Sequence, residues 1–491
     1  MKLELQKLVN ATRAMDQTLV VSLINGFLNA GLELKENWLG VARLAMTVGC
    51  YDLAVQCLHM LDKSKCEEAT LAKQLGMLAD CGKNDDAYQS AKQWVNKAPT
   101  SVAALHIAGV LAYQKGQLEQ AETLLKKVVE KAPLAGEAWH MLSTLQNVIA
   151  QPDFQSSISA QTVKFNQLPN NVSKACFLNA MGNVDGLIGK EESAFAFYEK
   201  SANIMRQITS SNFSSTPYNI DTNHTKITKV LTQIERETAQ NAVTSNAVTS
   251  NAFTSNTFTP VFIMGLPRSG TTLLNNILCS DEGVNSIGET DAFTIACDTV
   301  LKKKNSAYDL DTILNCKNVE LNGIAKEYER IARVLGCTES VCVNKSLNNS
   351  HIALMIQRVF PNAKFIATTR NELENAWSIY KTFFSSNLHW TFDIRSVKSA
   401  IQMDKRTIDQ LRTVIKIEEV ELETLKVEPE LVLPRIFNSI GLNYENNHAH
   451  FHKTPTVVKT ASMSQIRQPL NKLHSHISGV PKPFLELYEN L

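Results

Sequence analysis

Long apolar runs are missing from this chain. Nowhere do the roughly 18 consecutive apolar residues of a membrane-spanning helix occur, so no membrane partner is expected. Met1-Lys-Leu-Glu-Leu-Gln-Lys-Leu8 has neither the apolar core nor the small-residue cleavage site of a secretory leader, and the expected compartment is the cytoplasm. An excess of charge is missing too: 49 Lys and Arg against 48 Asp and Glu leave a net charge of +1. With no global field to attract nucleic acid, none is expected as a partner, and any bound anion must be held locally. The 10 cysteines are scattered and never spaced C-x-x-C, which argues against a disulfide framework and a zinc knuckle. Cys337 and Cys342 come closest and read as buried reduced thiols. What is present, 44% hydrophobic and 20% charged residues over 491 positions, suits a globular protein of two to four domains at roughly 150 residues each.

The first 205 residues carry a period. Lys97-Ala-Pro99 recurs 34 residues later as Lys131-Ala-Pro133, and Gly82 with Ala87 recurs at the same interval as Gly116 with Ala121. The same glycine-to-alanine spacing stands at Gly49/Ala54 and Gly189/Ala194, and the interval from Gly116 to Gly189 leaves room for one diverged copy around Gln151 to Pro169. This period, with small residues at fixed places, is the signature of tetratricopeptide repeats, each a pair of antiparallel helices. Leu118, Ala121, Leu125, Val128 and Val129 fall on one helical face, and Pro133 stops the run. A single pair cannot bury its own apolar face, so about four to six stacked repeats are expected. Their concave surface could recruit a substrate or a protein partner. The expected organisation is a repeat solenoid over 1–205, a Ser/Thr/Asn-rich linker over 206–259 and an α/β domain over 260–491. Within the linker, Asn241-Ala-Val-Thr-Ser, Asn246-Ala-Val-Thr-Ser, Asn251-Ala-Phe-Thr-Ser and Asn256-Thr-Phe-Thr-Pro form a tandem with no helical pattern.

After the linker, strands alternate with helices. Val261-Phe-Ile-Met264, Val341-Cys-Val343 and Lys364-Phe-Ile-Ala-Thr-Thr369 read as strands, each followed by an apolar stripe of helical spacing. Such alternation predicts a parallel sheet with ligands at the strands' C-terminal ends. The first strand runs into Gly265-Leu-Pro-Arg-Ser-Gly-Thr-Thr272, a glycine-bounded loop opening a helix near Thr271. Backbone N–H groups there converge on an anion. The lysine that follows the second glycine in nucleotide-hydrolysing loops is Thr271 here, and the cation has moved inside the loop to Arg268. Hydrolysis of ATP, or a small-molecule kinase activity, is therefore not expected.

These residues resemble the 5′-phosphosulfate loop of the sulfotransferases, whose donor is PAPS, released as PAP. The resemblance assigns Gly265, Pro267, Arg268, Ser269, Gly270, Thr271 and Thr272 to the donor. Phe360 to Lys381 resembles the family's second signature, a strand ending in Arg370 and a helix carrying Ser378, which in the family hold the 3′-phosphate. A guanidinium fork suits a phosphate dianion. The set is similar to the branch containing protein-tyrosine sulfotransferases and bacterial fusions of tetratricopeptide repeats to a sulfotransferase domain. By that resemblance Glu289, in Ser286-Ile-Gly-Glu289, is the base, Lys345, in Val343-Asn-Lys345-Ser, lies at the transferring group, and Ser462, in Thr460-Ala-Ser462-Met-Ser-Gln465, helps stabilise the sulfuryl.

The implied reaction is in-line transfer of a sulfuryl group from PAPS to a hydroxyl on a peptide, glycan or small molecule, with Glu289 taking the proton and Arg268, Lys345 and Ser462 stabilising the sulfuryl oxygens and departing phosphate. No metal is implied. Thr290-Asp-Ala-Phe stands where the tyrosine enzymes carry arginines, and Asn344 replaces their aspartate, so the acceptor class stays open. The alternative is a repeat adaptor whose second domain binds nucleotide without catalysis. His448, His450 and His452 alternate, as on one face of a strand, a spacing that could pair two of them on a metal, but no metal is expected there and a loop is the plainer reading.

Overall fold

In the computed structural model the described residues are 2–61, 66–210, 228, 229, 232, 258–384, 388–453, 470 and 479–491. Residues 241–257 of the tandem and Ser462 lie outside them.

From Lys2 to Ser210 every described element is an α-helix. The four glycines of the period share one local structure. Gly49, Gly82, Gly116 and Gly189 adopt φ of 75°, 82°, 75° and 77°, each just after a helix. The residue following each glycine donates its N–H back to a carbonyl five residues earlier: Cys50 to Ala45 at 2.9 Å, Lys83 to Leu78 at 3.0 Å, Gln117 to Ala112 at 2.9 Å and Lys190 to Asp185 at 2.9 Å. This left-handed cap satisfies carbonyls the helix end would leave open, and only glycine enters it without cost. Five residues on, Ala54, Ala87, Ala121 and Ala194 are fully or almost fully buried, so a second helix approaches closely. The interval around Gln151 to Pro169 departs from the pattern. Three short helices, Gln146–Ile149, Pro152–Ala160 and Thr162–Gln167, fill it, and the helices Gly136–Ser143 and Val172–Leu187 meet directly.

The second half is built on a five-stranded parallel sheet in the order β2-β3-β1-β4-β5. Its strands are β1 (Thr259–Met264), β2 (Val284–Gly288), β3 (Val341–Asn344), β4 (Lys364–Thr369) and β5 (Ile417–Glu421). Alternate residues of β1 feed opposite faces. Val261 and Ile263 join Leu274, Ile277, Leu433 and Phe437 on one side. Phe262 and Met264 join Phe293, Tyr328 and Phe360 on the other. Both faces are covered, which is why β1 is a continuous apolar run.

The cluster around Phe262 does not end at the sheet. It continues into Ala45, Val48, Leu58, Ala79 and Ala112 of the helical half, making one apolar core across the seam. Polar contacts rim it: Gln17 Nε2 donates to Glu327 Oε1 at 2.6 Å, Arg330 donates to the Gly49 carbonyl at 2.8 Å and Lys302 pairs with Asp16 at 3.1 Å. A second seam joins Ala175, Phe195 and Tyr198 to Trp377, Tyr380, Phe383 and Phe484. Cys337 and Cys342, expected as reduced thiols, are joined as a disulfide, their Cα atoms 5.9 Å apart, because the turn after Gly336 folds Cys337 back onto β3. His448, His450 and His452 sit on a 3-10 helix, Asn446–Lys453, and not on a strand. His448 stacks on Phe437 at 4.3 Å, and its two ring nitrogens meet the Glu445 N–H and Asp281.

Candidate active site

The loop after β1 turns in a space that only glycine fits. A Cβ on Gly265, where φ is +138°, would stand 2.6 Å from Thr368 Oγ1 and 2.7 Å from the Thr368 carbonyl oxygen. Gly270, at φ +104°, would bring one 2.9 Å from Leu422 Cδ1. Ser269 Oγ lies 2.8 Å from both the Leu266 carbonyl and Thr368 Oγ1, tying the loop to itself and to β4. Helix Thr271–Leu278 begins at Gly270 with no side-chain cap. Its first-turn N–H groups thus remain donors for an anion. Arg268 adopts a left-handed φ of 67°, a backbone cost on the order of 1–3 kcal/mol for a residue with a side chain.

That backbone aims Arg268 across the loop at helix Glu372–Lys381, where its Nε donates to Ser378 Oγ at 3.1 Å. Arg370 follows β4 and donates to the Arg268 carbonyl at 3.3 Å, while Glu374 Oε2 at 3.2 Å and Glu423 Oε1 at 3.9 Å balance part of its charge. Its Nε is buried without a hydrogen bond. Two cations that sequence reasoning missed stand close by. Burial, then Arg268 and Arg370, push Lys381 down to about 8. Burial, then Arg370, lower Lys426 as well. Arg268 is itself pushed down to about 10 by burial and then by Arg370. Cations that repel one another under cover gain from a bound polyanion more than any would alone. A cradle closed to any Cβ and an unused buried guanidinium N–H both fit a phosphorylated donor.

On the other side of β1, β2 slips register between Ser286 and Gly288, and this bulge turns Glu289 towards the end of β3. Lys345 Nζ pairs there with Glu289. The ammonium is buried and the carboxylate exposed. Burial lowers the Lys345 pKa, and Glu289 opposes that shift. Asn344, where the resembled branch has aspartate, accepts from the Ser346 N–H at 2.9 Å and so braces the turn carrying Lys345. Asn349 Nδ2 ties the ends of β1 and β3 together through the Ile263 and Asn344 carbonyls at 2.9 and 3.1 Å.

Every sequence-predicted site residue that the structure describes therefore stands beyond the C-terminal end of a parallel strand or on the helix that follows it. The helical half adds one group unforeseen from sequence. Tyr113 packs against the cluster containing Leu422 and Leu425, shares a 3.1 Å hydrogen bond with Thr144 Oγ1, and lies near enough for its phenol to bear on Arg268. Lys381 had a signal, one helical turn beyond Ser378; Tyr113 had none, lying about 150 residues from the loop. Among the described residues no cluster of His, Cys, Asp and Glu could hold a metal ion, and no helix is long and apolar enough to cross a membrane.

Residues 260–446 match the model of the sulfotransferase family, so the C-terminal half carries a sulfotransferase-family domain. An uncharacterized protein of Aquifex aeolicus (strain VF5) is 29% identical over 220 residues, covering 43% of this chain and 29% of that protein; the match spans under a third of the relative. Among solved structures, the sulfotransferase domain of the Synechococcus PCC 7002 olefin synthase is similar over 49% of this chain and 98% of its own, at 19% identity and a TM-score of 0.33. The sulfotransferase domain from the curacin biosynthetic pathway covers the same shares at 14% identity and a TM-score of 0.32.

Proposed function

We propose that this protein transfers a sulfuryl group from PAPS to a hydroxyl acceptor. The observation that carries the proposal is the half-buried cation group at the loop, Arg268 hydrogen-bonded to Ser378 and braced by Arg370, with Thr271 where a nucleotide-hydrolysing loop carries its lysine. PAPS would supply an activated sulfuryl on a phosphate leaving group. Gly265, Pro267, Ser269, Gly270, Thr271 and Thr272 shape the cradle that receives its 5′ end. Arg370 and Ser378 receive the 3′-phosphate. Glu289 takes the acceptor's hydroxyl proton. Lys345, held against Glu289, offers positive charge to the oxygens where charge develops, as does Arg268. Ser462, outside the described residues, is assigned by resemblance alone.

The helical half reads as tetratricopeptide repeats that bring acceptor or partner to this site. Four identical glycine caps, each followed five residues on by a buried alanine, support that reading. Incubating the protein with labelled PAPS and a panel of phenols, hydroxyl-bearing peptides and glycans tests the whole proposal. Acceptor-dependent PAP release is expected; failure both to bind PAP and to release it from PAPS would end the proposal.

A further inference from the structure

The helical half reaches the donor site through one half-buried lysine. Lys381 closes helix Glu372–Lys381 one turn beyond Ser378, so the two side chains share a helix face. Its ammonium stands 5.5 Å over the ring of Trp377, itself buried among Phe195, Tyr198 and Phe484. Among the described residues it forms no ion pair, since Glu374 and Glu423 both turn to Arg370. The charges that bear on it are those of Arg268 and Arg370. An ammonium set among like charges gains most from a bound anion.

What fixes its position comes from the other half of the chain. The last carbonyls of a helix have no partner within it. Here the Lys381 carbonyl accepts from Asn179 Nδ2 at 3.0 Å, and Asn179 is a buried residue of helix Val172–Leu187. Two residues on, the Phe383 ring lies 5.5 Å from His140, also of the helical half. We propose that Lys381 is a further cation on the donor's phosphates and that Asn179 is its positioning residue, so that donor affinity is set partly at the seam between the halves. The inference rests on the PAPS reading above.

Calorimetric titration of the full chain with PAP tests it. Lys381→Met should weaken binding by about tenfold or more, and Lys381→Arg should keep most of it. Asn179→Leu should weaken binding by a smaller factor. In the double variant Lys381→Met/Asn179→Leu the loss should not exceed that of Lys381→Met, because Asn179 acts through the lysine. An asparagine that only stabilises the fold would instead add its own loss, in step with a lower Tm. Should Lys381→Met fail to fold, Lys381→Gln carries the same comparison. Wild-type affinity in the lysine variant, or additive losses in the double variant, overturns the inference and leaves the PAPS reading standing. A wild-type protein that binds no PAP removes both.

Discussion

The two halves treat burial in opposite ways. Among the described residues, the helical half fills its interior with alanine, leucine and valine, and Asp185 is its one buried charged side chain. The α/β half places Asp298, Glu329 and Lys345 fully inside and crowds Arg268, Arg370, Lys381 and Lys426 beneath one loop. Removing a charge from water is costly unless a partner compensates it. A fold holds several like charges together when something else is meant to complete them. The interior of the first half thus needs no counter-charge, while the cations gathered in the second leave charge for an anion to balance.

Four substitutions sharpen that contrast, the largest effect first. Glu289→Gln keeps the size of the side chain and removes its basicity. Sulfuryl transfer should fall by about 10²- to 10⁴-fold, measured as PAP release, with PAP affinity unchanged. A rate near that of the wild type would remove Glu289 as the base. Gly265→Ala places a methyl against the Thr368 carbonyl in a backbone region that side chains avoid. Loss of measurable PAP binding is expected together with a destabilisation of roughly 2–4 kcal/mol by denaturant unfolding.

Third comes His140, at the seam. Burial pushes its pKa down to about 4, below an unfolded value of roughly 6.5. Neutral His140 therefore contributes stability fully present above about pH 6.5 and lost as pH falls through 4. His140→Gln should flatten the decline in Tm between those pH values, and an unchanged slope would count against the buried, neutral imidazole. The smallest effect belongs to Gly189→Ala. At φ +77° with nothing within 4 Å of the added Cβ, it should cost about 1 kcal/mol of stability and leave PAP binding untouched. Two glycines of positive φ, one in each half, would then separate a cap from a cradle.

The same contrast explains what could be read from the chain before its structure. The glycine caps are local: a helix end, its left-handed residue and the small residue of the next helix lie within a few positions, so a 34-residue recurrence exposes them. The loop from Gly265 to Thr272 is local as well, with strand, turn and helix start contiguous. Arg268 and Ser378 stand 110 residues apart yet share a hydrogen bond, and the resemblance assigns them to opposite ends of the donor. Lys381 and Tyr113 take their meaning from elements that meet through tertiary contact, which no periodicity records. The three alternating histidines show the converse. A two-residue spacing suggests a strand face, but stacking on Phe437 and the Glu445 turn hold His448 in a 3-10 helix.

The apolar cluster that runs from Ala45 and Leu58 into Phe262 and Phe360 has a consequence for how the polypeptide can be divided. Neither half owns that cluster, so neither should be a free-standing module whatever joins residue 210 to residue 258. Made as two polypeptides in one cell, 1–210 and 258–491 should find each other and purify as a stoichiometric complex. Made alone, each should present a bare apolar surface and aggregate. The gene then encodes one folding unit, and recombination that exchanged the helical half for a foreign one would have to carry its facing residues along.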